Sequence, residues 1–435
     1  MDERIMLYSE QKDRWTRYVI VILGCWLIFT PLTFTSQSRT LYWNDILCGI
    51  LLVTFGFYAL NTRHTWAPWV CAAIGVWLQF APLLFWAPDA LTYLNETLVG
   101  SLVIIFSILI PGVTVQNQTF GNPIPEGWSY NPSSWPQRAP IIALGFVCWF
   151  SSRYMASYQL GYLNHIWDPV FDNGTLKVIT SSVSKAFPIS DAGLGALAYT
   201  IETLTGFKGG IKRWYTMPWA VIFFGVLVIP VGLTSIILIM LQPILVGYWC
   251  FWCLLTAFCM LAMIALTVDE VAATLQFLSQ STKSGNSFWK TFWKGGEPLL
   301  NERDASIITY GCLDKCLSMV KGVGLPWNLA LSALIGITLL FSKSFLSFGD
   351  ETTAPYILGA LITTISIISV AEVIRSFRYL NMGLGLCLIA STWFLKEFTP
   401  LSLALTCGMG IALILLCIPR GKINETYGSL NHWIL

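Results

Sequence analysis

The chain has 435 residues, of which 55% are hydrophobic and only 11% charged, with 20 Trp. A soluble domain carries about 25% charged residues, so this composition excludes an ordinary globular enzyme and points to an all-α polytopic membrane protein. The formal net charge of +2 says nothing about nucleic acid, and the sequence has no basic tract that would bind it, so no nucleic-acid partner is expected.

A membrane-crossing helix needs about 20 apolar residues. Such runs lie near 17–35, 43–60, 68–86, 95–111, 140–158, 190–205, 218–240, 247–267, 326–346, 354–374, 379–396 and 399–418, predicting twelve transmembrane helices. The first follows Asp2, Glu3 and Arg4 and reads as a retained span, without a small-residue cleavage site. With the N-terminus inside and spans alternating, 19 of the 25 Lys and Arg fall on the cytoplasmic side and five on the far side, with Arg153 in or near a span. That asymmetry places both termini in the cytoplasm.

The first four spans repeat. "GCWLIFTPLTF" from Gly24 and "NDILCG" from Asn44 recur as "GVWLQFAPLLF" from Gly75 and "NETLVG" from Asn95, at a constant offset of 51. Weaker copies follow, one bracketed by Gly336 and Gly359, the other by Gly385 and Gly410. Each copy is a helical hairpin, and small residues let its helices approach closely in lipid. The domain map is two hairpins at 1–111, a linker at 112–135, an unlike central unit at 136–275, a polar segment at 276–325, two further hairpins at 326–418 and a tail at 419–435. The segment containing "SFWKTFWK" reads as a helix lying on the cytoplasmic surface.

The twelve Cys are not a secreted disulfide framework. Cys25, Cys48, Cys71, Cys148, Cys259, Cys387, Cys407 and Cys417 lie inside apolar runs, where a free thiol behaves as a small hydrophobe. Cys312 and Cys316 have no His or second Cys pair beside them, so no metal site is expected. Cys250 and Cys253 differ. They open the eighth span on the far side, flanked by Trp249 and Trp252. A helix N-terminus favours the thiolate, and a Cys-x-x-Cys there is expected to expose its first sulfur and shield its second.

Two resemblances follow from these motifs. The hairpins, with G-x-W-L-x-F-x-P-x-x-F followed by N-[DE]-x-L-x-G, resemble the bacterial SPW-repeat membrane domain, although its naming tripeptide is replaced by "APW" at 67–69 and "LPW" at 325–327. The central unit resembles the vitamin K epoxide reductase family through "FPISDAGLGALAY" from Phe187, the serines Ser181 and Ser182 before it, and "WCFWCLLTA". The second resemblance implies a central four-helix bundle around a quinone, flanked by the two pairs of hairpins, in a multi-pass bacterial inner membrane protein. It implies catalytic Cys250 and Cys253, the first engaging thiols and the second nearest the quinone. It implies quinone-binding Ser182, Asp191, Trp249, Trp252 and Ala257, and a periplasmic thioredoxin-like partner. Membrane lipids are the other partners expected, and a homo-oligomer is left open.

The departures matter. No Cys stands between Cys148 and Cys250, and Thr175 occupies the place of the family's second loop Cys. Ala257 stands where vertebrate members have Tyr. Three readings therefore remain: exchange with an external thiol protein; exchange with a small thiol or work on the quinone with another reductant; or a quinone- or lipid-binding scaffold or sensor that no longer turns over. Among other polar residues, Arg153 reads as snorkelling to the interface or as a functional charge, Asp191 as a helix cap or a ligand contact, and Glu202 as pairing with Lys208, interfacial or a proton-transfer group. His165 and Asp168 read as amphipathic packing or an acid–base pair, and Asp269 and Glu270 as water-exposed beyond the eighth span.

Overall fold

The structure is a computed structural model describing residues 14–33, 38–61, 63–110, 123–298, 316–342, 353–394 and 400–434. It is all-α. Among the described residues the extended pairings are isolated bridges, Trp128 with Tyr427 and Val323 with Ala371. A helix stands at each of the twelve predicted places. These are α1 (Arg14–Thr33), α2 (Arg39–Leu60), α3 (Ala67–Leu84), α4 (Ala90–Ile104, prolonged by a π turn Ile105–Leu109) and α5 (Trp135–Gln159). After a short helix α6 (Gly174–Ile179) come α7 (Asp191–Phe207), the single turn α8 (Arg213–Thr216), α9 (Pro218–Leu241, then a π turn Gln242–Val246) and α10 (Phe251–Lys283). The short α11 (Phe288–Lys294) precedes α12 (Trp327–Leu340), α13 (Ala354–Ile368), α14 (Leu380–Phe394, entered through a 3-10 segment Glu372–Tyr379) and α15 (Pro400–Leu416).

Among the described residues, seven helical stretches are long and apolar enough to cross a membrane by length and composition: 39–60, 67–84, 90–109, 135–159, 218–246, 251–283 and 372–392. Three shorter apolar helices, α12, α13 and α15, stand at three of the remaining predicted places. Local chemistry starts several of them. Asp89 accepts the Thr92 N–H at 2.8 Å, Ser190 accepts the Gly193 N–H at 2.9 Å, and Pro218 opens α9 where no amide partner is needed.

By backbone contacts the chain forms two compact units: Met1–Thr119 with Gly145–Asp168 and Ile179–Ile211, and Phe120–Leu144 with Pro169–Val178 and Lys212–Leu435. In the first, α1 and α2 cross at Gly24 and Gly49, and α3 and α4 cross at Gly75 and Gly100. A Cβ on Gly49 would lie 2.6 Å from the Gly24 carbonyl oxygen, and one on Gly100 would lie 2.6 Å from that of Gly75. The repeat also explains its Trp and Asn. Trp26 Nε1 donates to Asn95 at 2.8 Å, and Trp77 Nε1 donates to Asn44 at 2.8 Å. Each hairpin's indole thus binds the other hairpin's amide. At the end of α4 the π turn frees carbonyls: Ser107 accepts Arg17 at 2.6 Å, and Ile108 accepts the Lys208 ammonium.

The second unit repeats the glycine crossing. A Cβ on Gly359 would lie 2.7 Å from the Gly336 oxygen, and one on Gly385 would lie 2.8 Å from the Gly410 oxygen. Buried arginines close these helices at their C-terminal ends. Arg375 donates to Val370 O at 3.0 Å after α13, and Arg378 donates to Cys417 O at 3.0 Å after α15. Cations suit that pole of a helix. The tail folds back through Tyr427, whose hydroxyl donates to Glu372 at 3.0 Å and whose ring meets Trp128 edge-on at 5.0 Å.

The structure corrects one expectation here. α10 continues 16 residues past the predicted end of its span, and Asp269 and Glu270 are 1% and 3% exposed rather than in water. Glu270 is paired bidentately with Arg213 and receives the Ser133 hydroxyl, while Tyr130 donates to Asp269 at 2.5 Å. The polar linker and α8 supply these partners, so the carboxylates can be buried. Burial, and then the Asp269 carboxylate, push the Tyr130 phenol far above its usual range, so it remains a donor.

Candidate dithiol site

The site is built by the junction between α9 and α10. The π turn that ends α9 leads into Gly247, whose φ of 75° lies in the left-handed region open to glycine. The chain then extends. Cys250 (φ −110°, ψ 116°) is the N-cap of α10, and its Sγ accepts the Cys253 N–H at 3.1 Å. Cys250 and Cys253 are joined by a disulfide, with their Cα atoms 5.3 Å apart. The pair therefore stands at the start of a spanning helix, as its sequence position implies.

Three neighbours hold the cysteine loop. Gln242 is buried, and its Oε1 accepts the Cys250 N–H at 2.9 Å. Gly174, the first residue of α6, lies so close that a Cβ there would stand 2.1 Å from the Trp249 carbonyl oxygen. Lys177 Nζ sits 3.6 Å from the Tyr248 ring centroid. Trp249 packs on Phe341 at 4.7 Å, and Phe341 stacks on Phe171 at 6.4 Å with an interplanar angle of 10°. These are flat apolar faces reached through Trp249, the residue next to Cys250 in the chain.

The order of exposure is the reverse of that expected. Cys250 is 0% exposed, whereas Cys253 is half-buried. The loop carrying Cys250 is pressed against Gln242 and α6, where Thr175 is also fully buried. Trp252 is half-buried and meets Phe251 edge-on at 5.2 Å. Ala257 is buried on the face of α10 that also carries Cys253, four residues earlier.

In the first unit, the polar residues at the start of α7 gather around Gln159, which sequence reasoning missed. Gln159 Nε2 lies 2.6 Å from an Asp191 oxygen and 2.7 Å from Ser184 Oγ, and its Oε1 accepts the Ser190 hydroxyl at 2.5 Å. Ser190, not Asp191, is the N-cap of α7. Ser182 is exposed in a turn, so the serines nearest Asp191 in this cluster are Ser184 and Ser190. Nothing in the local sequence marks Gln159, because its partners come from 20 to 33 residues away.

The other polar residues fall as follows. Glu202 is fully buried and neither carboxyl oxygen has a hydrogen-bond partner, because Lys208 is taken by Ile108 O instead. The expected Glu202–Lys208 pair is therefore absent. Arg153 lies over the Tyr93 ring at 5.0 Å and the Trp149 ring at 5.1 Å. His165 is exposed and Asp168 half-buried. Cys316 is exposed, and Cys312 lies outside the described residues.

Fold and site together define an all-α, multi-pass membrane protein with a dithiol pair at the head of a spanning helix. The family model described as vitamin K epoxide reductase family matches residues 139–268, and the SPW repeat domain model matches residues 14–110 and 326–418. The chain thus carries a central vitamin K epoxide reductase family domain flanked by SPW repeats, which at the family level makes the core a membrane thiol oxidoreductase domain. No curated protein and no solved structure matches the chain.

Proposed function

We propose that this protein is a quinone-linked thiol/disulfide oxidoreductase acting at the periplasmic face of a bacterial inner membrane, with both termini in the cytoplasm. The observation that carries this reading is the Cys250–Cys253 disulfide at the N-cap of α10, inside the matched family domain and next in the chain to Trp249, which packs on Phe341. The fit to a quinone rests on those aromatic faces. Trp249, Trp252 and Ala257 would hold the ring edge nearest the dithiol. The family resemblance also implies Ser182 and Asp191, which lie in the first compact unit, where Gln159 bonds the Asp191 carboxylate. A bound quinone would supply the acceptor for the two electrons and two protons that a dithiol gives up on closing to a disulfide.

The chain's own part is to hold the sulfurs and favour the thiolate. The Cys253 N–H already points at Cys250 Sγ, and the dipole of the helix N-terminus stabilises a negative sulfur by about 0.3–1 kcal/mol. No loop Cys stands between Cys148 and Cys250, so the oxidisable thiols must come from outside, from a thioredoxin-like protein or a small thiol. Burial of Cys250 beneath α6 assigns first contact to the more accessible Cys253, or requires α6 to lift. That same burial is the observation favouring the second reading, a non-catalytic quinone- or lipid-binding scaffold.

The test is quinone-dependent oxidation of dithiothreitol by the purified full-length protein in nanodiscs. Turnover is expected, and Cys250→Ala and Cys253→Ala are each expected to abolish it. Turnover that survives both substitutions rejects the enzyme. A retained quinone without any thiol oxidation selects the scaffold.

A further inference from the structure

α11 and the end of α10 lie about 30 residues or more beyond the dithiol in the chain. α10 has 33 residues, about 50 Å of helix against a hydrocarbon core about 30 Å thick. Its last turns must leave the apolar layer. It ends at Lys283, the chain reverses at Gly285 (φ 89°), and α11 folds back along it.

Three contacts fix the depth of α11. Thr291, its buried residue, shares a hydrogen bond with Ser281 of α10 at 3.2 Å. Trp293 stacks on Trp219 at 6.3 Å, and Trp219 is the second residue of the spanning helix α9. Gly296 N–H donates to Tyr215 O at 3.2 Å, in the turn just before that span. The helix is thereby held level with the first turn of α9, where hydrocarbon gives way to headgroups.

Its outward face suits that level. Trp289 is 66% exposed, Trp293 60% and Phe288 42%. Lys290 and Lys294 are exposed one turn apart beside the tryptophans, and Lys283 is exposed at the end of α10. Against these three cations stands Glu297, also exposed. Indole rings alone would seat in any bilayer interface, but the lysines add a net positive charge that a neutral lipid does not answer.

We propose that α11 and Lys283 form a docking surface for anionic phospholipid headgroups, with Trp289 and Trp293 seated at the glycerol level and Lys290 and Lys294 on the phosphates. The surface anchors the α9–α10 hairpin at one side of the membrane. It stands independently of the redox reading.

The test compares full-length protein in phosphatidylcholine nanodiscs with protein in nanodiscs containing about one-fifth phosphatidylglycerol, read by amide hydrogen exchange over residues 286–296. A lysine at an anionic surface contributes about 1 kcal/mol, roughly fivefold in occupancy, so two contribute roughly thirtyfold. Phosphatidylglycerol is expected to slow exchange by roughly tenfold or more, and the doubly substituted Lys290→Gln, Lys294→Gln protein is expected to lose that increment. Its phosphatidylcholine baseline should stay unchanged, because the Thr291–Ser281 and Trp293–Trp219 contacts are untouched. Equal exchange in the two lipids, or an increment that survives the double substitution, overturns the proposal. Protection reproduced by free inorganic phosphate in phosphatidylcholine overturns it as well, since the source would then not be a lipid.

Discussion

Replacing Glu270 by Gln should destabilise this protein more than replacing its partner Arg213 by Gln. Glu270 accepts Arg213 Nε at 2.6 Å, receives Arg213 Nη2 and the Ser133 hydroxyl, and is 3% exposed. Arg138, itself 1% exposed, is close enough to act on both charges. Removing one partner of a buried pair costs about 3–5 kcal/mol. Glu270→Gln takes the neighbouring negative charge from two buried guanidinium groups, which places it at about 5 kcal/mol, whereas Arg213→Gln leaves the carboxylate with Arg138 and Ser133, at about 3 kcal/mol. Gln conserves the shape of Glu but is smaller than Arg, so any cavity left by Arg213→Gln narrows the expected difference and makes the comparison a strict one. Unfolding of the detergent-solubilised protein, followed by tryptophan fluorescence against denaturant, reads the difference. An apolar double substitution, Arg213→Met with Glu270→Leu, should recover most of the loss. Equal effects from the two single substitutions, or a double variant as damaged as their sum, would refute the reasoning.

Four further outcomes are expected. Gln242→Leu removes the acceptor of the Cys250 N–H; it should loosen the cysteine loop and speed alkylation of the reduced pair several-fold, and an unchanged alkylation rate would deny Gln242 its hold on that loop. Gly100→Ala places a Cβ 2.6 Å from the Gly75 oxygen and should cost about 1–3 kcal/mol, whereas Gly408→Ala meets nothing within 4 Å and should gain up to about 1 kcal/mol; paired thermal melts check both. Thr175→Cys puts a thiol on the buried start of α6 and should yield a mixed disulfide with Cys250 under oxidation; peptide mapping that finds only the free thiol would place α6 elsewhere. Burial and then Arg17 lower the Lys208 ammonium from 10.5 to about 8, so above that pH the unfolded chain binds the extra proton. Stability should therefore rise from about pH 8 towards 10.5 relative to Lys208→Met, and a flat difference would exclude that burial.

The hairpins and their crossings were readable in the sequence, because a lipid-facing helix must be apolar along its length and a close crossing must carry glycine. The repeat of 51 residues matches Gly24 with Gly75 and Gly49 with Gly100, and in space the glycines touch within each copy, Gly24 with Gly49 and Gly75 with Gly100. The place of the dithiol was readable for a similar reason: α10 cannot begin before the turn at Gly247 ends, so Cys250 becomes its cap. The repeat also marked Trp26, Asn44, Trp77 and Asn95, but not that they bond crosswise, since periodicity gives a face and not a partner.

Tertiary structure decided the rest. Asp269 and Glu270 looked water-exposed because charge usually ends a span; Tyr130, Ser133 and Arg213, far away in sequence, supply the hydrogen bonds that let them be buried. Gln159 and Gln242 carry no motif, and become important only where folding brings Ser190 and the Cys250 amide to them. Which sulfur of the pair is reachable was likewise set by what packs on the loop, since the covalent spacing of Cys250 and Cys253 is the same whether or not α6 lies against it. Along the chain, apolarity and small residues determine where helices run and cross. Burial and pairing of polar groups depend on contacts between distant segments, and those exist only once the chain has folded.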